Sequence, residues 1–239
     1  MQQVNLLCIP FSGGNKYSYA ALEAHSLDLL RMHTWEAPGR GARFAEPLQE
    51  SLESMADDLL HYLKQNIREP YAIYGHSMGS LLARLLMHRI QQEDLPRPLH
   101  LFLSGSRAIS IRREPPYYHE LQGEDFKNAL RKLGGSPEDL LTDDEAMSIY
   151  EPIIRADFKA VETYAYQEMI PVDVPMTVFI GTEDKVTYEQ AQAWEQESTT
   201  RVQVRQLKGN HFFILPHARE LMQTIIRKTY SALQQVQTV

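Results

Sequence analysis

Gly75-His76-Ser77-Met78-Gly79 sets a serine between two glycines, directly after the apolar run 71–74 and ahead of a helical pattern that opens at Met78. A strand, a sharp turn and a helix are the context in which a G-x-S-x-G serine serves as a nucleophile. Small residues two before and two after the serine let the backbone reverse without a clash between helix and strand. The same turn puts Ser77 at a helix N-terminus, where free N–H groups, that of Met78 among them, can receive a developing oxyanion. Serine needs a base, and the base needs a carboxylate to hold its tautomer. Asp184, in Gly181-Thr182-Glu183-Asp184, and His211, in Lys208-Gly209-Asn210-His211, each follow an apolar run, and they complete the chain order Ser, Asp, His. Glu183 and Asp157 are alternative acids, and His217 is an alternative base.

A second oxyanion donor is expected from a loop after an early strand. Pro10-Phe11-Ser12-Gly13-Gly14 offers the backbone N–H of Phe11 or Ser12, and the residues do not choose between them. The two glycines lack the spacing of a nucleotide-binding loop and there is no P-loop lysine. Pro38-Gly39-Arg40-Gly41 reads as a structural turn. His76 reads as a turn-packing residue, and the histidines at 25, 33, 61, 88, 100 and 119 show no metal-ligand spacing. Cys8, inside an apolar run, reads as a small buried hydrophobe.

These residues need a scaffold that brings loop ends together. Short apolar runs at 4–9, 32–36, 71–74, 99–104, 176–180 and 202–207 alternate with helical stripes such as Leu52/Met55/Leu59/Leu63 and Leu221/Ile225. Near-continuous apolar character predicts strands buried on both faces of a mostly parallel sheet flanked by helices, in a single domain over 1–239, and with the Ser, Asp, His order this resembles the α/β-hydrolase fold. From about 107 to 168 no strand pattern appears. Phe126/Leu130/Leu133 and Tyr150/Ile154/Phe158/Val161 have helical spacing there, which predicts a helical insertion placed to act as a lid.

Composition narrows the setting. The 239 residues carry 24 Lys+Arg against 31 Asp+Glu, and the resulting charge of −7, without a long basic run, argues against nucleic acid as a partner. One cysteine excludes an intramolecular disulfide and suits a reducing compartment. No signal-peptide pattern and no run of membrane-span length is present, so a cytoplasmic location without membrane association is expected.

Taken together, five ordered motifs resemble the type II thioesterases that accompany nonribosomal peptide and polyketide synthases. They are Pro10–Gly14 and Pro38-Gly39-Arg40-Gly41-Ala42-Arg43, then the Ser77 turn, then Arg155-Ala156-Asp157-Phe158 continuing to Glu162 and Tyr164, and finally Gly209-Asn210-His211-Phe212-Phe213. Ser12 stands where such proteins usually carry Ala, and Lys208 where a second Gly is common. The resemblance implies hydrolysis of acyl or aminoacyl thioesters on the phosphopantetheine arm of carrier-protein domains, in antibiotic-type biosynthesis, by a monomer that needs no cofactor or metal. Carrier proteins tend to be acidic, so a local basic docking patch is expected at Arg112, Arg113, Lys127, Arg131 and Lys132. A general serine esterase or acyl-coenzyme A thioesterase is the alternative on the same fold, and a catalytically silent binding protein is another.

Overall fold

The computed structural model describes residues 2–237. Six strands, β1 (Val4–Ile9), β2 (Leu30–Thr34), β3 (Tyr71–His76), β4 (Leu101–Ser104), β5 (Met176–Gly181) and β6 (Val202–Leu207), form one sheet in the order β2-β1-β3-β4-β5-β6. Every pairing is parallel. The helices are α1 (Ala20–Glu23), α2 (Leu52–Asn66), α3 (Met78–Gln92), α4 (Gly123–Leu133), α5 (Glu138–Thr142), α6 (Asp144–Glu162), α7 (Tyr188–Gln192) and α8 (Ala218–Gln237).

Alternation along the strands sorts the core into two layers. Leu7 and Ile9 of β1 join Ile73 and Leu103 under α2 and α3, whereas Leu6 and Cys8 join Tyr74 and Phe102 under α8. The α2 stripe is buried through Leu52, Met55, Leu59 and Leu63, and the helix starts where Ser51 Oγ accepts from the Ser54 N–H at 3.3 Å. No helix among the described residues is long and apolar enough to cross a membrane.

Strand boundaries move by a residue or two from their sequence positions. β2 begins at Leu30, not at 32, because its register is set by β1, with Val4 opposite Leu30 and Cys8 opposite Thr34. It stops short of 36. The Trp35 N–H still bonds to Cys8 O at 3.0 Å, but the turn at Pro38 follows at once. β3 runs on to His76, so the strand leads directly into Ser77.

The chain between β4 and β5 contributes α4, α5 and α6. These helices share a core of their own, Phe126, Leu130, Leu141, Met147 and Ile154, separate from the two layers on the sheet. Asp143 caps α6 by accepting from the Glu145 and Ala146 amides, each at 3.0 Å. Arg155 reaches back from α6 to His119 O and Leu121 O, each at 2.7 Å, and lies over the Phe126 ring. That guanidinium ties the insertion's entry segment to its longest helix.

Candidate active site

Ser77 sits at φ 54 and ψ −115, a left-handed backbone that only surrounding contacts can hold for a residue with a side chain. Its N–H bonds to Ser104 O at 2.8 Å across to β4. Ser80, one turn into α3, donates to Gly75 O at 2.9 Å or Ser104 O at 3.0 Å, and accepts from the Ser104 N–H. Helix and strand approach so closely that a Cβ on Gly75 would lie 2.2 Å from Gly79 O, and one on Gly79 would lie 2.0 Å from Ile9 O. The two flanking glycines are therefore a steric requirement of the turn. Met78, the first residue of α3, has an N–H with no intrahelical acceptor.

Asp184 and His211 lie on the loops that leave β5 and β6. His211 Nδ1 and Asp184 Oδ2 are 2.9 Å apart. Burial works to raise the Asp184 carboxyl, but the bond to His211, that ring's charge and the Lys185 and Val186 amides outweigh it and hold the group below its usual range. An ionised carboxylate only accepts, so Nδ1 carries a proton, and in the neutral ring Nε2 has the lone pair. Ser77, Asp184 and His211 all line one cavity of about 320 Å³.

The alternatives are engaged elsewhere. Asp157 is fully buried on α6, where it forms a two-pronged pair with Arg40 at 2.6 and 2.7 Å and accepts from the Gly13 N–H at 2.7 Å. His217 Nε2 bonds to Lys208 O at 2.9 Å. Glu183 offers only its amide, to Gly209 O. His76 has no exposed surface, its Nδ1 lies 2.8 Å from Ser104 Oγ, and its ring is 5.0 Å from that of His211. Burial first, and then the charge of His211, pushes its pKa well down, so it packs the site as a neutral ring. Cys8 is buried, and desolvation pushes its thiol up and out of reach of thiolate chemistry.

In the loop after β1, Gly13 N–H belongs to Asp157 and Gly14 N–H to Phe11 O at 2.8 Å. Phe11 and Ser12, which both line the cavity, are left as the loop's donors toward a ligand. The remaining wall has two characters. Leu130, Leu133, Leu140, Ile154 and Phe158 make an apolar side, and Arg107, Arg113, Glu114 and Lys185 a charged one.

The five basic residues expected to form one docking patch are divided by the structure. Arg113 is half-buried and faces the cavity, whereas Arg112 and Lys132 are exposed. Lys127 pairs with Asp144 at 3.4 Å, and Arg131 pairs with both Glu124 and Glu138. Carboxylates from the acidic starts of neighbouring helices offset two of the five charges, and the cavity takes a third. Among the described residues no group of three or more His, Cys, Asp or Glu could hold a metal ion.

A strained serine at the end of β3 thus faces the same cavity as a carboxylate-bound histidine. Residues 4–229 match the model of the thioesterase domain family. The chain is 33% identical to the gramicidin S biosynthesis protein GrsT of Aneurinibacillus migulanus, over 95% of this chain and 89% of that one. The chain belongs to the thioesterase family. Its identity to the human medium-chain S-acyl fatty acid synthase thioesterase is 31%, over 90% of this chain and 82% of that protein. In three dimensions it is similar to the type II thioesterase BorB from the borrelidin biosynthetic cluster, with a TM-score of 0.88, 29% identity, and 95% and 93% of the two chains covered.

This thioesterase is a thioester hydrolase on an α/β-hydrolase fold, with its sheet and flanking helices arranged as in those structures. Several residues of its site gave no separate signal in the sequence. Ser80 and Ser104 cross-link the turn, and Arg40 with Asp157 ties α6 to the loop after β1. Both arginine and aspartate lie within motifs quoted above, but 117 positions separate them, and spacing alone does not pair them.

Proposed function

We propose that the thioesterase removes acyl and aminoacyl groups from the phosphopantetheine arm of carrier-protein domains, as an editing enzyme of a biosynthetic synthase working as a monomer in the cytosol. The observation that carries the chemistry is the 2.9 Å bond between His211 Nδ1 and Asp184 beside the left-handed Ser77 in one cavity. His211 Nε2 takes the Ser77 proton while Oγ attacks the thioester carbonyl. The amides of Met78 and of Phe11 or Ser12 hold the oxyanion. The C–S bond breaks, the thiol leaves with the proton from His211, and an acyl-Ser77 ester remains. Water, deprotonated by His211, then attacks the ester, and the acid departs as Ser77 regains its proton. Side chains, amides and water suffice for every step.

The carrier-protein substrate is supported by relatives from gramicidin S and borrelidin biosynthesis. The likeness to a fatty acid synthase thioesterase favours a second reading, an enzyme for free acyl thioesters. Intact-mass measurement of acetyl- and aminoacyl-carrier protein, beside the matching coenzyme A thioesters, separates the two. Wild type should clear the carrier much faster than coenzyme A, and Ser77→Ala should clear neither. Equal clearance of both donors would remove the carrier claim, and full activity of Ser77→Ala would remove the mechanism.

A further inference from the structure

Two guanidiniums in this enzyme stand together without an ion pair among the described residues, although the charges of Glu162 and Asp184 reach Arg113. Arg107 and Arg113, on the segment that leaves β4, both line the catalytic cavity and also a second cavity of about 560 Å³ beside it. Neither donates a side-chain hydrogen bond to any described residue, and Arg107 Nε is buried without a partner. Burial, and then the charge of Arg107, pushes Arg113 down to about 10. The fully buried arginines are ion-paired, Arg40 with Asp157 and Arg84 with Glu197, although Arg40 Nε and Arg84 Nη1 are also buried without a partner.

Of the carboxylates on these walls, Glu114 lines the catalytic cavity without bonding either arginine, and two others are engaged elsewhere. Glu162 lines both cavities, but it accepts from the Tyr118 and His119 amides and lies 2.7 Å from His119 Nδ1. Asp184 holds His211. Two like charges, partly desolvated and without an acceptor, are a site that an anion stabilises by supplying charge-assisted hydrogen bonds.

The position of the pair says which end of a thioester carries that anion. Leu130, Leu133, Ile154 and Phe158, the apolar wall suited to an acyl chain, line only the catalytic cavity, whereas the arginines stand where it meets the second one. We propose that Arg107 and Arg113 form a subsite for the phosphate of the pantetheine arm, with the thioester carbonyl at Ser77, the pantetheine between them and the group esterified to the phosphate leaving through the second cavity. This rests on the proposed function in taking the thiol half of the substrate to be a phosphopantetheine; the arm of a carrier and coenzyme A share that phosphate.

The test compares one acyl group on pantetheine, on 4′-phosphopantetheine, on coenzyme A and on carrier protein, in wild type, Arg107→Gln and Arg113→Gln. In wild type the phosphopantetheine thioester should exceed the pantetheine thioester in kcat/KM by about tenfold or more, as one charge-assisted contact predicts. In each variant that ratio should fall toward one, through KM, with coenzyme A and carrier falling in parallel. Free 4′-phosphopantetheine should inhibit pantetheine-thioester hydrolysis by wild type and lose that effect in the variants. A wild-type ratio near one overturns the subsite without any variant. So does a loss confined to acyl groups bearing their own carboxylate, such as malonyl against acetyl, or a loss on carrier alone. If wild type clears carrier and coenzyme A equally while the phosphate ratio behaves as stated, the carrier reading fails and the subsite stands.

Discussion

Around Ser77 the backbone is packed so tightly that a single added carbon at Gly79 would lie 2.0 Å from a carbonyl oxygen of β1, and Ser80 and Ser104 lock what remains. Across the cavity, α4, α5 and α6 are held by a small apolar core of their own. The first region has one backbone solution and fixes where the chemistry happens. The second is joined through side chains, and part of its face on the cavity is apolar. Asp157 crosses between them, from α6 to Arg40 and to the Gly13 amide, so the loop that offers the Phe11 and Ser12 amides is held by the insertion.

The largest effect that would break this contrast is expected at Gly79→Ala. The added Cβ has no room, so thermal unfolding should show a chain that is unfolded or severely destabilised; a near-normal melting temperature would mean the turn is softer than its contacts imply. Next comes Asp157→Asn, which leaves Arg40 buried without its counter-charge. A loss of about 3 kcal/mol is expected in denaturant unfolding. With it, kcat should fall about tenfold or more on short and long acyl groups alike, because the displaced loop carries the proposed oxyanion donor. A loss of stability with kcat intact would show that the insertion does not support the loop.

A smaller and selective effect is expected at Leu133→Ala and Leu140→Ala, which line the cavity and are only partly buried. Removing apolar wall should lower kcat/KM for octanoyl thioesters by about tenfold relative to acetyl, one or two buried methylene groups' worth per side chain. Equal losses for both acyl groups would place these residues in the fixed region.

The remaining effect is read in pH. His100, at the foot of β4, is held by burial at about 3, with Thr177 Oγ1 2.9 Å from Nε2. Below the ordinary imidazole range of about 6.5 the unfolded chain binds a proton there and the folded one does not, so stability falls as pH falls. His76, also depressed by burial, acts with the same sign. Urea unfolding between about pH 6 and pH 4.5 should lose up to about 1.4 kcal/mol per pH unit for each of them, and His100→Gln should remove one share of that slope.

What could be read without coordinates follows the same division. The meeting of Ser77, Asp184 and His211 at one cavity was legible because each lies at the end of an apolar run. The strands were legible from their apolar runs, whereas the ends of β2 depended on its register with β1. α5 and α7 are too short to show a periodic stripe. The Arg40–Asp157 pair and the unpartnered Arg107 and Arg113 depend on which distant side chains the fold brings together. Arg112 and Arg113 are neighbours in sequence, yet one is exposed and the other turns into the catalytic cavity, a difference that charge counting does not carry.

The most direct test of the central claim is covalent. Wild type, Ser77→Ala and His211→Ala would be exposed to a fluorophosphonate and the adduct located by peptide mapping. We expect one adduct, on Ser77, absent from Ser77→Ala and formed at least about a hundredfold more slowly in His211→Ala. Labelling of Ser77→Ala at the wild-type rate, or an adduct on any other residue, would contradict the mechanism.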